Sequence, residues 1–281
     1  MFTKVSPTVF FISKHTRERI LTMDNRVQRE KELYNTGFEA ERLKYDSKFG
    51  HANEKVGYYS DYLKELRQNI MQKAKGKKVL ELGSSSWASF IDLAGFPPSD
   101  ITCINISESE LEIGVELYKN LELPQLPNFN FMVMDANKLE FEDESFDVVF
   151  GAGILHHLDF DKAVQEIKRV LKKDGFCFFI EPMGSNPIGR IVRKRTPQAR
   201  TIDEKPLENH EISLLKKHFK TRFTFSQLFY VPAGVISVRL FKNPYNLLMK
   251  AAFIIDKLLA KIMPLRFNLL YRFVHVYAEK P

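Results

Sequence analysis

Two adjacent histidines are the side chains of this sequence best suited to proton transfer. His156 and His157 follow a short apolar run that is typical of a buried strand. An imidazole titrates near neutral pH and can take a proton from a substrate hydroxyl. Packing beneath a pocket, or hydrogen bonding to the backbone, is the alternative for both. The sequence therefore offers His156 and His157 as candidate general bases.

Small and acidic residues recur wherever an apolar run ends. Val79–Leu82 reads as a buried strand and leads directly into Gly83, Ser84 and Ser85. The same change of character recurs at Asn105-Ile106-Ser107, Asp135-Ala136, Gly151-Ala152-Gly153 and Glu181. In an open parallel sheet, ligands bind beyond the carboxyl ends of the strands, where helix N-termini favour polar or anionic groups. These five sets predict a site for a ligand that contains a nucleoside.

Strand-like and helical segments alternate between residues 78 and 182. The predicted strands are 78–82, 101–106, 129–134, 146–150 and 176–180, and the predicted helices are 87–94, 107–120 and 161–171. Such alternation implies βαβ units and a parallel sheet, and continuous apolar runs fit strands that are covered on both faces. Two later strands, at 223–230 and 273–277, bring the predicted sheet to seven.

The order of these motifs resembles that of class I S-adenosylmethionine-dependent methyltransferases, within the small-molecule branch called methyltransferase type 11. The resemblance covers roughly residues 76–182. It rests on Val79–Gly83, Ile104–Glu108, Met134–Ala136, Phe146–Val149 with Ile154–Leu158, and Glu166–Gly175. It implies an α/β, Rossmann-like fold with a seven-stranded, mostly parallel sheet, helices on both faces and an antiparallel last strand.

The resemblance also implies S-adenosylmethionine as cofactor and assigns residues to it. Glu81 and Gly83 would shape the pocket for the methionine moiety, Asn105 and Ile106 would hold the ribose and the adenine edge, and Asp135 with Ala136 would bind the adenine amino group. Ser84, Ser85 and Gly151 complete the predicted cofactor site.

The chain departs from the family pattern at three positions. Ser85 and Trp87 stand where the family has its second and third glycines, and Asn105 stands where it has a carboxylate for the ribose. An amide can bond a hydroxyl group, but without charge assistance. The departures leave open an alternative function, a scaffold that binds the cofactor without turnover.

The segments flanking the resemblance are predicted to cover the site. Residues 1–75 form an N-terminal helical cap, with helices over 25–45 and 58–75. Residues 76–281 form the methyltransferase domain, in which 183–268 contains a helical, substrate-covering insertion. The predicted substrate-binding residues are Tyr34, Tyr58 and Tyr59 of the cap and Arg190 of the basic run 190–200. Core packing for the tyrosines, and a solvated face for the arginine, are the alternatives.

Composition restricts the partners and the compartment. The net charge of +7 permits an anionic partner, but the basic run 190–200 has none of the interleaved aromatics that single-stranded nucleic acid would use. Cys103 and Cys177 lie in apolar runs without zinc-ligand spacing, so we expect free thiols, no metal centre and a reducing cytoplasm. Val9–Ile12 is too short for a signal peptide, and no secretion signal is predicted.

The segment 246–263 is apolar around a narrow stripe of Asn246, Lys250, Lys257 and Lys261. Its lysines and Asp256 argue against a membrane span. A helix packed on the sheet, an interfacial membrane helix and a homodimer contact all fit the pattern. The sequence as a whole predicts methyl transfer to an O or N atom of a small, partly hydrophobic molecule. The alternatives are the scaffold and a membrane-peripheral methyltransferase of a lipid-linked acceptor.

Overall fold

A seven-stranded sheet in the order β3-β2-β1-β4-β5-β7-β6 organises the part of the chain that the structure describes. The computed structural model describes residues 25–35, 56–85, 98–120, 128–195, 201 and 203–281. The strands are β1 (Lys78–Leu82), β2 (Asp100–Asn105), β3 (Asn128–Val133), β4 (Phe146–Ala152), β5 (Leu171–Pro182), β6 (Lys220–Ser226) and β7 (Phe273–Glu279).

Strand directions confirm the predicted Rossmann-like α/β sheet. Strands β3, β2, β1, β4 and β5 pair in parallel, and β7 runs antiparallel between β5 and β6. Because β5 and β6 are both antiparallel to β7, β6 points the same way as the parallel strands. Six carboxyl ends therefore lie at one edge of the sheet.

Helices cover both faces of this sheet. They are α1 (Asn25–Asn35), α2 (Tyr58–Met71), α3 (Glu108–Lys119), α4 (Phe160–Val170), α5 (Pro187–Arg195), α6 (Asn209–His218), α7 (Tyr230–Leu240), α8 (Leu247–Ile262) and α9 (Leu265–Asn268). Short 3₁₀ turns follow at Gln72–Ala74, directly after α2, and at Leu155–His157, after β4.

Consecutive strand residues supply the two apolar layers. Leu80 packs in a cluster with Val164 and Ile167 of α4, whereas Val79 packs in a second cluster with Met71 and Leu111 from the opposite face. Successive side chains of a strand point to opposite faces, so burial of both faces requires the continuous apolar runs seen in the sequence. Strand β3, at the sheet edge, instead alternates between exposed and half-buried positions.

Helix α2 packs on the sheet and on the C-terminal helices. Its end, at Met71, joins the core beneath β1, and its first turns place Tyr59 and Leu63 in a third cluster with Tyr230 of α7 and Met249 of α8. Of the described residues before β1, those of α1 line the strand-end cleft, and the cap over residues 1–75 stays a prediction. The helical spacing of apolar residues over 58–71 predicted that one face of this helix is buried. It did not predict which elements pack against that face.

Two elements differ from the sequence-based prediction after residue 182. The strand expected at 223–230 ends at Ser226, and the unpredicted helix α7 follows it. Part of the basic run 190–200 belongs to helix α5, for which the sequence analysis gave no bounds. The segment predicted as a long helix is α8, as expected. The helix predicted at 87–94, Trp87 and residues 1–24 lie outside the described residues.

A buried carboxylate on α8 explains why α7 begins where it does. The side chain of Asp256 is fully buried and accepts the backbone N–H groups of Leu228, Phe229 and Tyr230 at 2.9, 2.7 and 3.2 Å. The Tyr59 hydroxyl also donates to it, at 3.3 Å. A carboxylate at a helix N-terminus satisfies amides that have no partner within the helix and favours the helix dipole.

We therefore expect Asp256→Asn to lower the free energy of unfolding by about 2 to 3 kcal/mol, because buried amides lose a charged acceptor. Urea denaturation followed by circular dichroism measures the change. Asp61→Asn is the matched control, since Asp61 is exposed and accepts the Tyr245 hydroxyl at the surface; it should change stability by less than about 0.5 kcal/mol. Equal effects of the two variants would contradict the capping role.

Candidate active site

A cleft open to solvent lies at the carboxyl edge of the sheet. Ligands of open parallel sheets bind at this edge. Strand ends β1, β2 and β4, the turn after β3 and helix α1 form its walls. Six of the residues predicted to bind the cofactor line it: Gly83, Ser85, Asn105, Ile106, Asp135 and Ala136.

The turn after β1 requires a glycine. Gly83 has φ of +70°, and a Cβ atom placed there would lie 2.9 Å from Ile154 Cδ1. Both facts exclude an ordinary side chain, because L-residues rarely adopt this φ and the space is occupied. The turn is thereby held against the loop that follows β4, and its backbone faces the cleft.

Asp135 presents a fixed carboxylate after β3. Its Oδ1 accepts the backbone N–H of Asn137 at 2.8 Å and the Asn137 side-chain amide at 2.9 Å. The backbone N–H of Met134 bonds to the Asn105 carbonyl at 3.0 Å, which ties this turn to the end of β2. The carboxylate therefore keeps one orientation at the cleft wall.

Asn105 is held by the protein itself. Its Nδ2 donates to the Ser84 carbonyl at 2.8 Å, and its Oδ1 accepts the backbone N–H of Ser107 at 2.8 Å. The side chain thus braces the β1 and β2 turns against each other. Asn105 lines the cleft, but its amide is mainly occupied with shaping it.

Glu110 lines the cleft, and the sequence analysis did not single it out. Ser107 caps helix α3, and its hydroxyl accepts the Glu110 N–H at 3.2 Å. The Glu110 side chain is 2% exposed and lines the cleft beside Asn105. Its position in the first turn of α3, five residues after the end of β2, was the available signal. The cleft therefore contains a carboxylate close to Asn105 in the chain, although not at the position of the family pattern.

Glu181 fixes the loop that carries both histidines. Its Oε1 accepts the N–H groups of Ile154 and Leu155 at 3.0 and 2.8 Å, and its Oε2 lies 2.7 Å from His156 Nδ1. Glu181 is fully buried, and this burial raises its pKa to about 7. His156 Nε2 faces Glu204 at 3.7 Å. His156 therefore lies behind the cleft wall rather than in it.

His157 lines the cleft within a chain of polar groups. The Tyr34 hydroxyl lies 3.1 Å from His157 Nε2, and Glu30 Oε2 lies 3.1 Å from His157 Nδ1. In the consistent tautomer the Tyr34 hydroxyl donates to Nε2, while Nδ1 and Glu30 Oε2 lie close together without hydrogen-bond geometry. Of the two predicted bases, the structure therefore brings His157, with Tyr34, to the cleft.

A metal ion is the other chemistry that this cluster could support. Ligand atoms of His156, His157 and Glu204 lie within 4.8 Å of one another. His157 Nε2 has the Tyr34 hydroxyl as partner at 3.1 Å, and His156 Nδ1 has Glu181 Oε2 at 2.7 Å. One nitrogen of each ring is therefore already occupied, which favours a hydrogen-bonded network over a metal site.

Three predicted cofactor residues lie beneath the cleft. Glu81 is 2% exposed, and Cys103 Sγ donates to its Oε2 at 3.4 Å. Ser84 is also buried, and its N–H bonds to the Ile104 carbonyl. A Cβ atom on Gly151 would lie 2.7 Å from Ile154 Cγ2. These residues support the floor of the cleft.

The structure does not bring Tyr58, Tyr59 and Arg190 to the cleft. Tyr59 is fully buried in the α2–α7–α8 cluster, and Tyr58 stacks on Phe253 with ring centroids 6.0 Å apart. The exposed Arg190 donates its Nε–H to the Gly184 carbonyl at 3.2 Å, shortly after the end of β5. The aromatic content of α2 reflects its packing, which sequence alone could not separate from a substrate contact.

The chain matches known methyltransferase sequences over its central part. Residues 80–179 match the family described as Methyltransferase domain. A Staphylococcus aureus protein named demethylmenaquinone methyltransferase is 36% identical over 110 residues, which are 38% of this chain and 44% of that protein. The matched region is thus less than half the length of this relative.

Solved structures share the fold over most of the chain. The [4+2]-cyclase SpnF has a TM-score of 0.55 at 18% identity, covering 82% of this chain and 84% of that one. The N-methyltransferase NodS from Bradyrhizobium japonicum WM9, in complex with S-adenosyl-L-homocysteine, has a TM-score of 0.51 at 10% identity, covering 81% and 90%. At these identities the likeness shows the fold.

The family match and the fold together define the class of this domain. Residues 80–179 form a class I S-adenosylmethionine-dependent methyltransferase domain, and the predicted class, transferase assignment and cofactor are confirmed at that level.

The raised pKa of Glu181 gives a testable pH dependence. Between its ordinary value of 4.5 and about 7, the folded chain binds more protons at this group than the unfolded chain. The contribution of Glu181 to the free energy of unfolding therefore falls as pH rises through this window, by on the order of 3 kcal/mol. Urea denaturation at several pH values, for wild type and Glu181→Gln, measures it.

We expect wild type to lose stability relative to Glu181→Gln as pH rises from 4.5 to 7. Glu116→Gln serves as the control, since Glu116 is 66% exposed and should follow wild type throughout. Parallel curves for wild type and Glu181→Gln would contradict the account of a buried, protonatable carboxyl group.

Proposed function

We propose that this chain transfers the methyl group of S-adenosylmethionine, bound in the cleft, to an O or N atom of a small, partly hydrophobic acceptor. The main support for this proposal is that two carboxylates, Asp135 and Glu110, line the cleft at the C-terminal strand ends of a methyltransferase domain. Demethylmenaquinone, the acceptor in the name of the Staphylococcus aureus relative, supports a partly apolar acceptor.

The residues of the cleft fit the adenosine half of the cofactor. Asp135 accepts from the adenine amino group, and Glu110 accepts from the ribose hydroxyls in place of the carboxylate that Asn105 lacks. The Gly83 turn gives the backbone room to approach the methionine half. When bound, S-adenosylmethionine supplies an electrophilic methyl group on a positively charged sulfur.

The Tyr34–His157–Glu30 chain accounts for the proton. A proton leaving the acceptor passes to His157 Nε2 through the Tyr34 hydroxyl, and the Glu30 carboxylate, 3.1 Å from Nδ1, stabilises the imidazolium that forms by its charge. Methyl transfer also depends on alignment of the acceptor with the methyl group. Both requirements place the acceptor between α1 and the 155–157 turn.

Helix α1, Thr201 and residues 203–207 serve as the cover of this site. Arg29 pairs with Asp203 at 2.6 Å, and the Thr201 hydroxyl donates to Glu30. The backbone N–H of Lys205 bonds to the His156 carbonyl at 2.8 Å. Of the proposed cap and insertion, these are the described parts that contact the site. The cytoplasmic location and a homodimer stay predictions.

Glu110→Gln should weaken S-adenosylhomocysteine binding by about tenfold, because a neutral amide loses the charge-assisted bonds to the ribose. Isothermal titration calorimetry measures the dissociation constant. Glu112→Gln is the matched control on the same helix, at an exposed position, and should bind as wild type. Wild-type protein that binds neither S-adenosylmethionine nor S-adenosylhomocysteine would end the proposal.

His157→Gln should lower kcat by about a hundredfold or more, since general base catalysis typically contributes that much. The assay follows tritium transfer from S-adenosylmethionine to a panel of hydroxylated quinones, phenols and amines. His210→Gln, at an exposed position, is the control. Tight cofactor binding without a labelled product from any acceptor would favour the scaffold alternative, and full activity of His157→Gln would remove the base role.

A further inference from the structure

Exposed apolar side chains are concentrated in one part of the molecule. Of the eighteen large hydrophobic residues that are exposed in the described ranges, fourteen lie between Phe229 and Leu270. We call residues 229–270, which hold α7, α8 and α9, the C-terminal lobe. Scattered exposed hydrophobics are normal, but a concentration of this kind marks an interaction surface.

Helix α8 carries an apolar stripe on each of two opposite faces. The inner face is buried against α7, α2 and the end of β6. It carries the apolar residues Met249 and Ala252 together with the capping carboxylate of Asp256. The opposite face carries Leu247, Ile254, Leu258 and Ile262, exposed by 82, 54, 56 and 67%. A helix whose outer face served only solvent would be polar there. The outer stripe is therefore built to contact something other than water.

Helix α7 continues this surface. Its buried residues include Ala233 and Ser237, whereas Ile236, Val238 and Leu240 are exposed by 48, 45 and 67%. The two helices are joined at their ends, since Asn246 Nδ2 donates to Ser237 Oγ at 2.6 Å. The apolar outer sides of α7 and α8 thus belong to one rigid unit.

The charge of this lobe identifies its partner. Residues 229–270 contain six basic side chains and one acidic one. The acidic residue, Asp256, is fully buried and bonded to backbone amides, so it contributes nothing at the surface. Lys250 and Lys261 lie exposed at the border of the outer stripe of α8. An apolar strip bordered by cations is complementary to a membrane surface that contains anionic lipids.

The lobe fits a position on the membrane rather than through it. None of the helices in the described ranges is long and apolar enough to cross a bilayer. Helix α8 has 16 residues, and at a rise of about 1.5 Å per residue it is shorter than the hydrocarbon core of about 30 Å. Its snorkelling lysines suit a helix that lies in the interface with its axis parallel to the surface.

We propose that the outer face of α7 and α8 is a membrane-docking surface for anionic phospholipid bilayers. Strand β6 ends at the same sheet edge as β4 and leads into α7, three strands away at about 4.8 Å each. Docking through the lobe therefore holds the cleft edge within about 15 Å of the lobe's attachment point. The docking does not depend on methyl transfer, so its test stands apart from that of the proposed function.

Flotation of the full chain with vesicles tests this proposal. Wild type should float with vesicles of phosphatidylcholine and phosphatidylglycerol, and remain at the bottom with phosphatidylcholine alone. The double variant Leu247→Gln with Leu258→Gln should reduce the partition constant between vesicle-bound and free protein about tenfold or more. Two apolar side chains that would insert into the lipid are then lost. Lys250→Gln with Lys261→Gln should reduce it about tenfold and flatten its salt dependence.

Ile113→Gln with Met132→Gln is the matched control, because these residues are exposed by 39 and 40% on α3 and β3, outside the lobe. It should float as wild type, and all variants should keep the wild-type circular dichroism spectrum. Wild type that never floats, or floats equally with both vesicle types, overturns the proposal. The proposal is also overturned if wild type self-associates in sedimentation velocity and Leu247→Gln with Leu258→Gln abolishes the association. The surface would then be a contact between copies of the chain.

Discussion

The buried carboxylate of Glu181 is the interaction on which the candidate site depends. It sits at the end of β5 and accepts two backbone amides of the loop after β4, while its second oxygen bonds His156. The loop so fixed places Ile154 against Gly83, which has no room for a side chain. It also delivers His157 to the cleft. One ionisable group thus couples β5, β4 and β1 at the edge where the cofactor binds in this class.

Burial of the Glu181 carboxylate costs desolvation free energy and also changes the pKa of the group. A carboxylate without water is stable only when donors surround it, and the Ile154 and Leu155 amides and the His156 ring provide them. The same burial raises the pKa of Glu181 to about 7, so that the group can hold a proton near neutral pH. His156 therefore supports the cleft wall from behind, whereas its neighbour His157 lines the cleft.

The sheet and most of the cleft could be predicted because both follow from local patterns. Gly83, Asp135 and Ala136 lie at strand ends that composition alone marks, and parallel strands bring those ends together. Glu110 was missed because its sequence position also suits a capping box, and nothing local tells a capping carboxylate from a ligand-binding one. Tyr59 was misplaced because helical period shows that a face is buried but not which element buries it.

The C-terminal lobe shows the same limit at longer range. Helix α7 begins at amides that Asp256 accepts, some 26 residues further along the chain, so no local signal announces it. Helix α8 is apolar on both faces, and sequence cannot say which face the fold covers. Only the packing of Met249 and Ala252 identifies the inner stripe and leaves Leu247 and Leu258 outside. The interfacial helix considered from sequence thereby acquires a defined outer face.

A crystal structure with S-adenosylhomocysteine bound is the most direct test of the claim that the cleft binds the cofactor through Asp135 and Glu110. It shows which protein atoms contact each part of the ligand. The account predicts the adenine amino group at Asp135, the ribose hydroxyls at Glu110, and the sulfur facing the space beside Tyr34 and His157. Ribose hydroxyls held elsewhere, with Glu110 making no contact, or a ligand bound outside the cleft, would contradict it.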